Sequence, residues 1–459
     1  MPKKYFGTDG VRARANTFPM TADFILRLGV AVAKILRKNN PRKTSVVIGK
    51  DTRLSCYMLE SALTAGLTAG GVREVFLIGP IPTPGIAMLT RSLRCNLGIM
   101  ISASHNPYYD NGIKLFDSNG IKFPEQIEEE IESIIDDPVL MESLPLDNKI
   151  GRAWRSENYI YQQRYIEYVK NGFPRNLNLQ GLKIVLDCAN GASYKIAPTI
   201  FWELGADVVK IGCQPDGTNI NDGCGSIHVE LLQKTVVREH ADIGLAFDGD
   251  ADRIIIVSED GSMVDGDKII ALMAQRMLSE NRLKNNAVVL TFASNLGLEL
   301  YLKSLGLDVL RTKVGDRYVA ELMREKNLSL GGEQSGHIIF GDYSTTGDGI
   351  FCGLQVLAVL QTARQQNARA KFSDIANVYE SVPQRQDNIR FSGDKPNPLE
   401  LESVKSFIEE QNRKLGGSGR VLVRKSGTEP LLRIMVECED TNRLDEVFNA
   451  ISLRITEHL

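Results

Sequence analysis

Three aspartates, Asp248, Asp250 and Asp252, stand at alternate positions in the segment DGDAD, between the apolar runs ADIGLAF and RIIIVSE. In an extended segment, side chains two residues apart point to the same side, so the three carboxylates could converge on one point. Three like charges held so close together repel one another unless a cation or solvent relieves them. Carboxylate oxygens are the preferred ligands of hard cations, so the pattern predicts a divalent-cation site, with Mg²⁺ as the expected ion.

Other interpretations of DGDAD remain open on these residues alone. A calcium-binding EF-hand loop would run from Asp248 to Glu259, but its sixth position requires glycine and holds Arg253. A phosphatase of the haloacid-dehalogenase type would use Asp248 as its nucleophile, and the segment matches only half of that motif, DxDx(T/V). A solvated acidic turn is the structural alternative, and the flanking apolar strands argue against it.

A second candidate site follows the apolar run GIMI, which ends in SASHNP at residues 102 to 107. Strand ends in α/β sheets are where ligands bind, and Pro107 restricts the residue before it to extended conformations. Ser102 and Ser104 could be plain hydrogen-bonding turn residues, and no GxSxG segment indicates an acyl-transfer site. A serine that carries a phosphoryl group would supply charged oxygens that a cation held by three aspartates could bridge.

Three further polar segments could bind a phosphorylated, polyhydroxylated ligand. DNGIKLF places Lys114 close to the serines as a cation or proton donor, and GGEQSGH offers a carboxylate and a hydroxyl among glycines, which suits sugar hydroxyls. In the tail, RKSGTEPLLR has the guanidinium, hydroxyl and backbone amide groups of a phosphate-monoester site. The last two segments could equally be polar or charged surface turns.

Three parts of the chain share an order of elements that would position these groups: an apolar strand, a turn, an amphipathic helix, a second strand and a glycine. They begin at SVVIGKDTR, LKIVLDCANGAS and AVVLTFASNLGL and end at Gly79, Gly212 and Gly315. Apolar strands that alternate with helices predict largely parallel sheets covered on both faces. We therefore predict an α/β protein with three similar domains and a smaller α+β C-terminal domain around a central cleft; one large doubly wound sheet is the alternative. The predicted domains span residues 1–155, 156–255, 256–369 and 370–459.

Length and composition restrict the class of protein and of partner. A chain of 459 residues exceeds one ordinary core, and its net charge of −3, with scattered basic residues, predicts a small-molecule partner rather than nucleic acid or a membrane. The start MPKKYFGTDG has no apolar leader and no long apolar span follows, so we expect a cytoplasmic protein. Seven cysteines without a CxxC pair indicate reduced thiols. A homodimer remains open.

The segments SASHNP, DGDAD, GEQSGH and RKSGTEP, in this order, resemble those of the α-D-phosphohexomutases, four-domain enzymes that move a phosphoryl group between positions 1 and 6 of a sugar phosphate. FGTDGVR, GEQ and PDGTNINDGCGSIH resemble most closely the bacterial branch that acts on glucosamine phosphate. The resemblance covers essentially the whole chain. It implies interconversion of glucosamine 6-phosphate and glucosamine 1-phosphate through a bound glucosamine 1,6-bisphosphate, which feeds amino-sugar nucleotide and cell-wall precursor synthesis. A phosphomannomutase or phosphoglucomutase is the alternative within the family.

The resemblance also implies roles for individual residues. Ser104 would be the phosphoserine and, with Asp248, Asp250 and Asp252, would hold one Mg²⁺. Glu333 and Ser335 would bind sugar hydroxyls. The phosphate that does not react would be bound by Arg424, Ser426, Gly427, Thr428 and Arg433. The reaction centre would be lined by Arg12, His105, Lys114, Arg253 and His337. Of these, Lys114 and His337 are the candidates for proton transfer.

Overall fold

The computed structural model describes residues 4–7, 9–39, 44–146, 149–155, 159–390, 397–425 and 431–459. These residues form four sheets, one in each of four successive parts of the chain, which we call the first to fourth units. The first three combine helices with mixed sheets, and the fourth is a smaller α+β unit, so the predicted fold class is confirmed. Within the same ranges, no helix has both the length and the apolar character needed to cross a membrane.

The first unit contains a sheet in the order β1-β2-β6-β5-β3-β4-β7. Its strands are β1 (Phe6–Gly7), β2 (Gly10–Arg14), β3 (Ser45–Lys50), β4 (Glu74–Pro80), β5 (Leu97–Ile101), β6 (Asp110–Asp117) and β7 (Arg152–Arg155). Its helices are α1 (Ala22–Asn39), α2 (Ser55–Ala69), α3 (Thr83–Ser92) and α4 (Glu125–Ile135). β3 and β5 are buried along their whole length, which explains why their sequences are apolar without alternation. β6 runs antiparallel to β5, so the chain returns past the segment SASHNP.

The second unit has a sheet in the order β12-β11-β10-β8-β9. Its strands are β8 (Lys183–Asp187), β9 (Asp207–Ile211), β10 (Ile243–Phe247), β11 (Ile254–Ser258) and β12 (Met263–Val264), and its helices are α5 (Ile160–Asn171), α6 (Ile196–Glu203) and α7 (Glu230–Arg238). The boundary predicted at residue 255 falls inside β11, which pairs with β10 from end to end. Since a paired strand belongs to the sheet that it extends, we propose that this unit continues to Val264.

The third unit has a sheet in the order β14-β13-β15-β16. Its strands are β13 (Ala287–Thr291), β14 (Asp308–Thr312), β15 (Leu330–Gly332) and β16 (Ile338–Phe340). Its helices are α8 (Gly266–Ser279), α9 (Leu296–Ser304), α10 (Asp316–Lys326), α11 (Gly349–Gln366) and α12 (Phe372–Ala376). The three predicted strand-helix-strand repeats are confirmed, because β3 and β4, β8 and β9, and β13 and β14 each pair in parallel.

The fourth unit has a sheet in the order β17-β19-β18. Its strands are β17 (Gln384–Arg390), β18 (Gly419–Lys425) and β19 (Leu431–Cys438), and its helices are α13 (Glu402–Leu415) and α14 (Thr441–Thr456). The apolar segments RVLVRKS and LLRIMVE predict β18 and β19, whereas SVPQRQDNIRFSGDKPNPLE, which contains β17, has the polar, proline-bearing composition of a connection. β17 is an edge strand with the mostly exposed sequence QRQDNIR, so it carries no apolar alternation. Short 3-10 helices cover Leu140–Ser143, Lys284–Asn286, Pro398–Glu400 and Gly416–Ser418.

The first three units share a hydrophobic core, whereas the fourth has its own. Met100 and Phe116 of the first unit, Leu245 of the second and Leu290 of the third belong to one buried cluster. In the fourth unit, β19 and the two helices pack on each other around Phe448. The fourth unit could therefore change its position without opening the core that holds the other three together.

Candidate active site

Ser104 lies three residues beyond the end of β5 and is 1% exposed. Its hydroxyl donates a hydrogen bond to Oδ2 of Asp248 at 2.6 Å, and its Oγ is 3.2 Å from Nδ1 of His105. Its φ of +53° is in the left-handed region, which non-glycine residues seldom adopt. The amide of Ser104 donates to the hydroxyl of Ser102 at 2.9 Å, so the first serine supports the turn that presents the second.

The three aspartates of DGDAD converge as predicted, although not for the predicted reason. Asp248, Asp250 and Asp252 are buried, and one carboxylate oxygen from each lies within 4.8 Å of the other two. The segment is not extended; it forms a tight turn between the antiparallel strands β10 and β11, with Ala251 at a φ of +54°. The turn, rather than strand alternation, brings the side chains together.

The aspartates share their environment unequally. Asp248 accepts a hydrogen bond from the amide of Arg253 at 3.2 Å, while Asp250 accepts from Lys114 Nζ at 2.8 Å and from the Thr83 hydroxyl. The buried Oδ1 atoms of Asp250 and of Asp252 have no hydrogen-bond partner among the described residues. Buried carboxylate oxygens without donors are the groups that a hard cation coordinates, so the donor set fits a divalent metal ion.

These contacts separate the pKa values of the carboxylates. Burial, together with the charges of Asp252 and Asp250, raises the pKa of Asp248 well above its ordinary value. Burial also acts on Asp252, but Lys114 and His337 outweigh it and hold the pKa of Asp252 well below the usual range. For Lys114 itself, burial is outweighed by the carboxylates of Asp250 and Asp252, so its pKa lies well above that of a free lysine. The Lys114 ammonium thus partly neutralises the aspartates.

Two arginines complete the surroundings of Ser104. Arg12, on β2, forms an ion pair with Asp9, and Arg253 lies 3.9 Å from Asp252 through its Nε. The Nε atoms of both arginines are buried and make no hydrogen bond among the described residues. Both arginines act electrostatically on His105, the neighbour of Ser104, and unused guanidinium donors in this position suit an anionic group such as a phosphoryl.

His105 is half-buried beside the same arginines. Burial and the positive charges of Arg253 and Arg12 lower the pKa of His105 to about 3. The imidazole is therefore neutral at neutral pH, and it can exchange a hydrogen bond with Ser104 without adding a charge.

His337 lies between two carboxylates in the third unit. Its Nδ1 is 3.5 Å from Oδ1 of Asp252, and its Nε2 is 3.7 Å from Oδ2 of Asp316. Burial lowers the pKa of His337, but the carboxylates of Asp252, Asp316 and Glu333 together outweigh burial and leave that pKa raised. The amide of Gly347 donates to Nε2 at 3.0 Å, a contact that requires Nε2 as acceptor and so favours a proton on Nδ1.

Sequence reasoning missed three charged residues that connect these groups. Lys122 forms ion pairs with both Asp9 and Asp316, and Asp9 lies 3.4 Å from Nζ of Lys114. A closed ring results, in which Lys114 and Lys122 alternate with the carboxylates of Asp252, Asp316 and Asp9 and the imidazole of His337 lies between Asp252 and Asp316. Asp9 belongs to the segment FGTDGVR, but Lys122 and Asp316 are far apart in sequence and have no motif of their own. Only the fold shows that they join the first unit to the third.

The segment GGEQSGH forms a tight loop after β15. Glu333 is 7% exposed and accepts a hydrogen bond from the amide of Gly315 at 2.9 Å, while Ser335 is exposed at the tip. Gly336 has a φ of +89°, and a Cβ there would lie 2.0 Å from the carbonyl oxygen of Ile254. Glycine is therefore required at position 336 for the loop GGEQSGH to lie against β11, next to the aspartate turn.

Arg424 and Arg433 of the fourth unit are directly opposite each other in the antiparallel pair β18 and β19. Like charges at opposite positions destabilise a sheet, so the pair indicates a site for an anion. Burial and the charge of Arg433 lower the pKa of Arg424, while the charge of Glu333 raises it, which places Arg424 within electrostatic reach of the loop. The predicted partners Ser426, Gly427 and Thr428 lie outside the described residues.

Family models match the chain in four consecutive segments. The models are described as phosphoglucomutase/phosphomannomutase, alpha/beta/alpha domains I, II and III, and C-terminal domain. They match residues 3–139, 163–261, 265–381 and 387–453, respectively.

Curated relatives are similar to the chain in sequence, and solved structures are similar to it in fold. A phosphoglucosamine mutase of Brucella ovis is 51% identical over 451 residues, 98% of this chain and 97% of the relative. One from Rhizobium etli is also 51% identical, over 98% of each chain. A phosphoglucomutase/phosphomannomutase family protein from Burkholderia thailandensis has a similar fold, with a TM-score of 0.81 and 24% identity over 99% of this chain and 97% of that one. An Aspergillus fumigatus N-acetylphosphoglucosamine mutase, solved with GlcNAc-6P and magnesium, has a TM-score of 0.67 and 17% identity, covering 100% of this chain and 96% of that one.

Proposed function

The chain belongs to the phosphoglucomutase/phosphomannomutase family, and on this premise we propose that it interconverts glucosamine 6-phosphate and glucosamine 1-phosphate. It is a mutase, an enzyme of the isomerase class. The choice of glucosamine is supported by the 51% identity to phosphoglucosamine mutases over nearly the whole length of both chains.

One observation carries the proposed chemistry. The Ser104 hydroxyl is buried and hydrogen-bonded to Asp248 at 2.6 Å, and guanidinium groups with unused donors lie within electrostatic reach of Asp248 and His105, the two side chains next to it. A serine in this position is suited to carry a phosphoryl group, because the arginines can bind its oxygens. An acyl-transfer role has no support, because the Ser104 hydroxyl donates to the carboxylate of Asp248 and the serine does not lie in a GxSxG segment.

In the proposed first half-reaction, phosphoserine 104 gives its phosphoryl group to the 1-hydroxyl of glucosamine 6-phosphate. The bond between phosphorus and Oγ breaks, and a bond forms between phosphorus and the hydroxyl oxygen. The hydroxyl proton ends on Oγ by way of Lys114 and His337, our candidates for proton transfer. The products are glucosamine 1,6-bisphosphate and the free serine.

In the second half-reaction, the 6-phosphoryl group of the bisphosphate is transferred to Oγ of Ser104. The serine proton then passes to the 6-oxygen of the sugar, which leaves as glucosamine 1-phosphate. The enzyme regains its phosphoserine, and no phosphoryl group is gained or lost over the cycle. Arg12 and Arg253 would bind the oxygens of the group in transit, with neutral His105 beside them.

We propose that Asp248, Asp250 and Asp252, together with an oxygen of the Ser104 phosphoryl group, hold one Mg²⁺. When bound, the ion would neutralise charge that develops on the transferring phosphoryl group. The unpartnered Oδ1 atoms of Asp250 and Asp252 support this assignment. In the absence of the ion, the protein supplies part of the same neutralisation through Lys114.

The remaining residues would bind the parts of the substrate that do not react. We propose that Glu333 and Ser335 bind sugar hydroxyls. We propose that Arg424, Ser426, Gly427, Thr428 and Arg433 bind the phosphate distant from Ser104. One distant phosphate site could hold either phosphate of the bisphosphate, so the intermediate would turn around between the half-reactions without a second clamp.

Intact mass and phosphopeptide mapping of the purified protein test the phosphoserine directly. We expect one phosphoryl group on Ser104, and Ser104→Ala should remove mutase activity, while Ser61→Ala, on the exposed side of α2, should retain it. Full activity of Ser104→Ala would refute the mechanism. Phosphate release that depends on Asp248 and not on Ser104 would indicate a phosphatase with an aspartate nucleophile instead.

A substrate panel tests the sugar. We expect the highest kcat/KM with glucosamine phosphate among the phosphates of glucosamine, glucose, mannose and N-acetylglucosamine. A large preference for glucose or mannose phosphate would place the chain with the phosphoglucomutases or phosphomannomutases of the family.

A further inference from the structure

The backbone carbonyls of the Ser104 loop are held from two sides by side chains of two different units. Arg53 follows β3 in the first unit and is fully buried. Its guanidinium donates to the carbonyl oxygens of Ser104 and Asn106, each at 2.9 Å, and to that of Pro107. Asn221 of the second unit donates through Nδ2 to the same Ser104 and Asn106 oxygens, at 2.9 and 3.0 Å. Two side chains therefore share two acceptors.

Arg53 is itself fixed. Its Nε donates to Oδ2 of Asp51 at 2.8 Å, and its amide donates to Oδ1 of the same residue at 2.9 Å. Oδ2 of Asp51 also accepts from the hydroxyl of Ser102 at 2.6 Å. Because Ser102 in turn accepts from the amide of Ser104, both ends of the Ser104 residue are tied to the Asp51–Arg53 pair.

Asn221 lies in the segment PDGTNINDG, which the sequence links to the amino-sugar branch but to which the proposed chemistry gives no role. It is 5% exposed, has a φ of +58°, and its amide donates to the carbonyl of Ala189 at 2.9 Å. Asparagine adopts this backbone region more readily than most residues. The segment thus holds an amide donor rigidly over the Ser104 loop.

The aspartate turn approaches the same carbonyl. A Cβ at Gly249, between the first two aspartates of DGDAD, would lie 2.6 Å from the carbonyl oxygen of Ser104 and 3.1 Å from Nδ2 of Asn221. Glycine at position 249 therefore lets the aspartate turn DGDAD pack against the Ser104 peptide and the side-chain amide of Asn221. The position of Oγ relative to the aspartates depends on how this peptide is held.

We propose that Arg53 and Asn221 are positioning residues that fix the Ser104 peptide so that Oγ points at the aspartate site in both half-reactions. Neither side chain contacts Oγ, and each acts through carbonyl groups of the loop. The left-handed φ of Ser104 is unfavourable for serine, and these donors hold it. The inference rests on the proposed phosphoryl role of Ser104.

The shared acceptors predict how the two residues combine. If one donor is removed, both carbonyls retain the other, so the peptide loses restraint but remains hydrogen-bonded. If both donors are removed, the carbonyl oxygens of Ser104 and Asn106 lose the hydrogen bonds from Arg53 and from Asn221 together, and the peptide loses both restraints. We therefore expect the double variant to lose more activity than the product of the two single losses.

The test compares Asn221→Gly, Arg53→Lys and the double variant with Asn327→Gly. Glycine can adopt the positive φ at both asparagine positions. Asn327 is the control because it is exposed at the end of α10, has a φ of 50° and has no proposed role in the site. Lysine keeps the charge of Arg53 but cannot reach several carbonyls at once. We expect kcat to fall about 10- to 100-fold in each single variant, because small displacements of reacting groups cost this much. KM should change less than about threefold, since the substrate contacts are intact.

Phosphorus-31 NMR of the phosphorylated enzyme separates positioning from a general loss of stability. The phosphoserine resonance should shift or broaden in the Asn221 and Arg53 variants and stay unchanged in Asn327→Gly. Unchanged kcat and an unchanged resonance in Asn221→Gly would overturn the inference, as would losses of kcat that only follow the fraction unfolded. If Ser104→Ala were fully active, the proposed function would fail first; if Ser104→Ala is inactive and Asn221→Gly is not impaired, only the positioning role fails.

Discussion

Two aspartates of the same turn should respond in opposite directions to the same substitution. Asp248 is hydrogen-bonded to Ser104 and to the amide of Arg253 and has no lysine partner in the part of the chain that the structure describes, whereas Asp252 is paired with Lys114 at 3.2 Å. In the metal-free, unphosphorylated protein, Asp248→Asn removes a repelled charge. Asp252→Asn removes the partner of a buried ammonium. We expect the first variant to be more stable than the wild type and the second to be less stable.

The magnitudes follow from the geometry. Two unit charges 4.8 Å apart repel by about 3.5 kcal/mol at an effective dielectric constant of about 20, and the Lys114 ammonium offsets part of this. An asparagine at position 248 can still accept from the amide of Arg253 and can donate to the hydroxyl of Ser104. We therefore expect Asp248→Asn to gain about 1 to 3 kcal/mol in the free energy of unfolding. Asp252→Asn should lose about 3 kcal/mol, the lower end for a broken buried pair, since Lys114 keeps Asp250.

The pH dependence gives the same pair of signs. The pKa of Asp248 is higher in the folded protein than in the unfolded chain. Its carboxyl therefore does not lower the free energy of unfolding at a pH below the unfolded-state pKa, and it lowers that free energy as the pH rises through the folded-state pKa. The gain from Asp248→Asn should therefore be present at pH 7 and absent near pH 3. The pKa of Asp252 is lower in the folded protein than in the unfolded chain. Its carboxylate therefore stabilises the fold at a pH above the unfolded-state pKa, and this stabilisation is lost as the pH falls through the folded-state pKa. Asp252→Asn should thus lower the free energy of unfolding most near pH 7.

Urea denaturation of chelator-treated, dephosphorylated protein measures these differences, and added Mg²⁺ should stabilise the wild type more than either variant. At about 100 times its dissociation constant, a ligand that binds only the folded state stabilises it by about 2.7 kcal/mol, and both variants should lose most of this gain. Neither should retain mutase activity. If Asp248→Asn destabilises the metal-free protein as much as Asp252→Asn does, the three carboxylates are not in the repulsive arrangement that we infer.

Lys122→Met should leave two half-buried carboxylates without their shared cation and lower the free energy of unfolding by about 1 to 3 kcal/mol, measured by urea titration; Lys34→Met, at an exposed position, should cost nothing comparable. Burial raises the pKa of Asp348 to about 7, so stability should fall as pH rises through 7, and Asp348→Asn should remove this dependence in melting curves at pH 5 and pH 8. Arg433→Gln should raise KM for glucosamine 6-phosphate at least about tenfold, the worth of a charge-assisted hydrogen bond, and an unchanged KM in steady-state kinetics would remove it from the phosphate site.

The fold could be predicted where local patterns and tertiary structure agree. The strand-helix-strand repeats were recognisable because β3, β8 and β13 are buried or nearly buried along their length and therefore apolar throughout. β17 was not recognisable, since an edge strand exposed to solvent carries polar residues at most positions. The boundary predicted at residue 255 differs from the one that we propose at Val264 for a related reason: an antiparallel return strand such as β11 has the same apolar sequence whether it ends one unit or begins the next.

Part of the site could be predicted for a chemical reason. The carboxylates of DGDAD and the hydroxyls of SASHNP can be recognised by residue type, and the resemblance to the α-D-phosphohexomutases assigns them to one site. Lys122, Asp316, Arg53 and Asn221 carry no such signal, because each acts on a residue more than 50 positions away or on backbone groups. Partners of this kind are set by packing between units, which a single sequence does not display.

The connection of the fourth unit explains how one site could accept a substrate that must turn around. The first three units share a core, and contacts between them join Ser104 to Asp248 and Asp252 to His337. The fourth unit meets the third through buried polar groups: Glu437 accepts from Nδ2 of Asn295 at 3.0 Å and pairs with Arg420, which also donates to the carbonyl of Ser294. Hydrogen bonds of this kind can be exchanged at a hinge at lower cost than a packed apolar interface can be opened. We therefore expect the distant phosphate site to move relative to a reaction centre that does not, which is what reorientation of a bound bisphosphate requires.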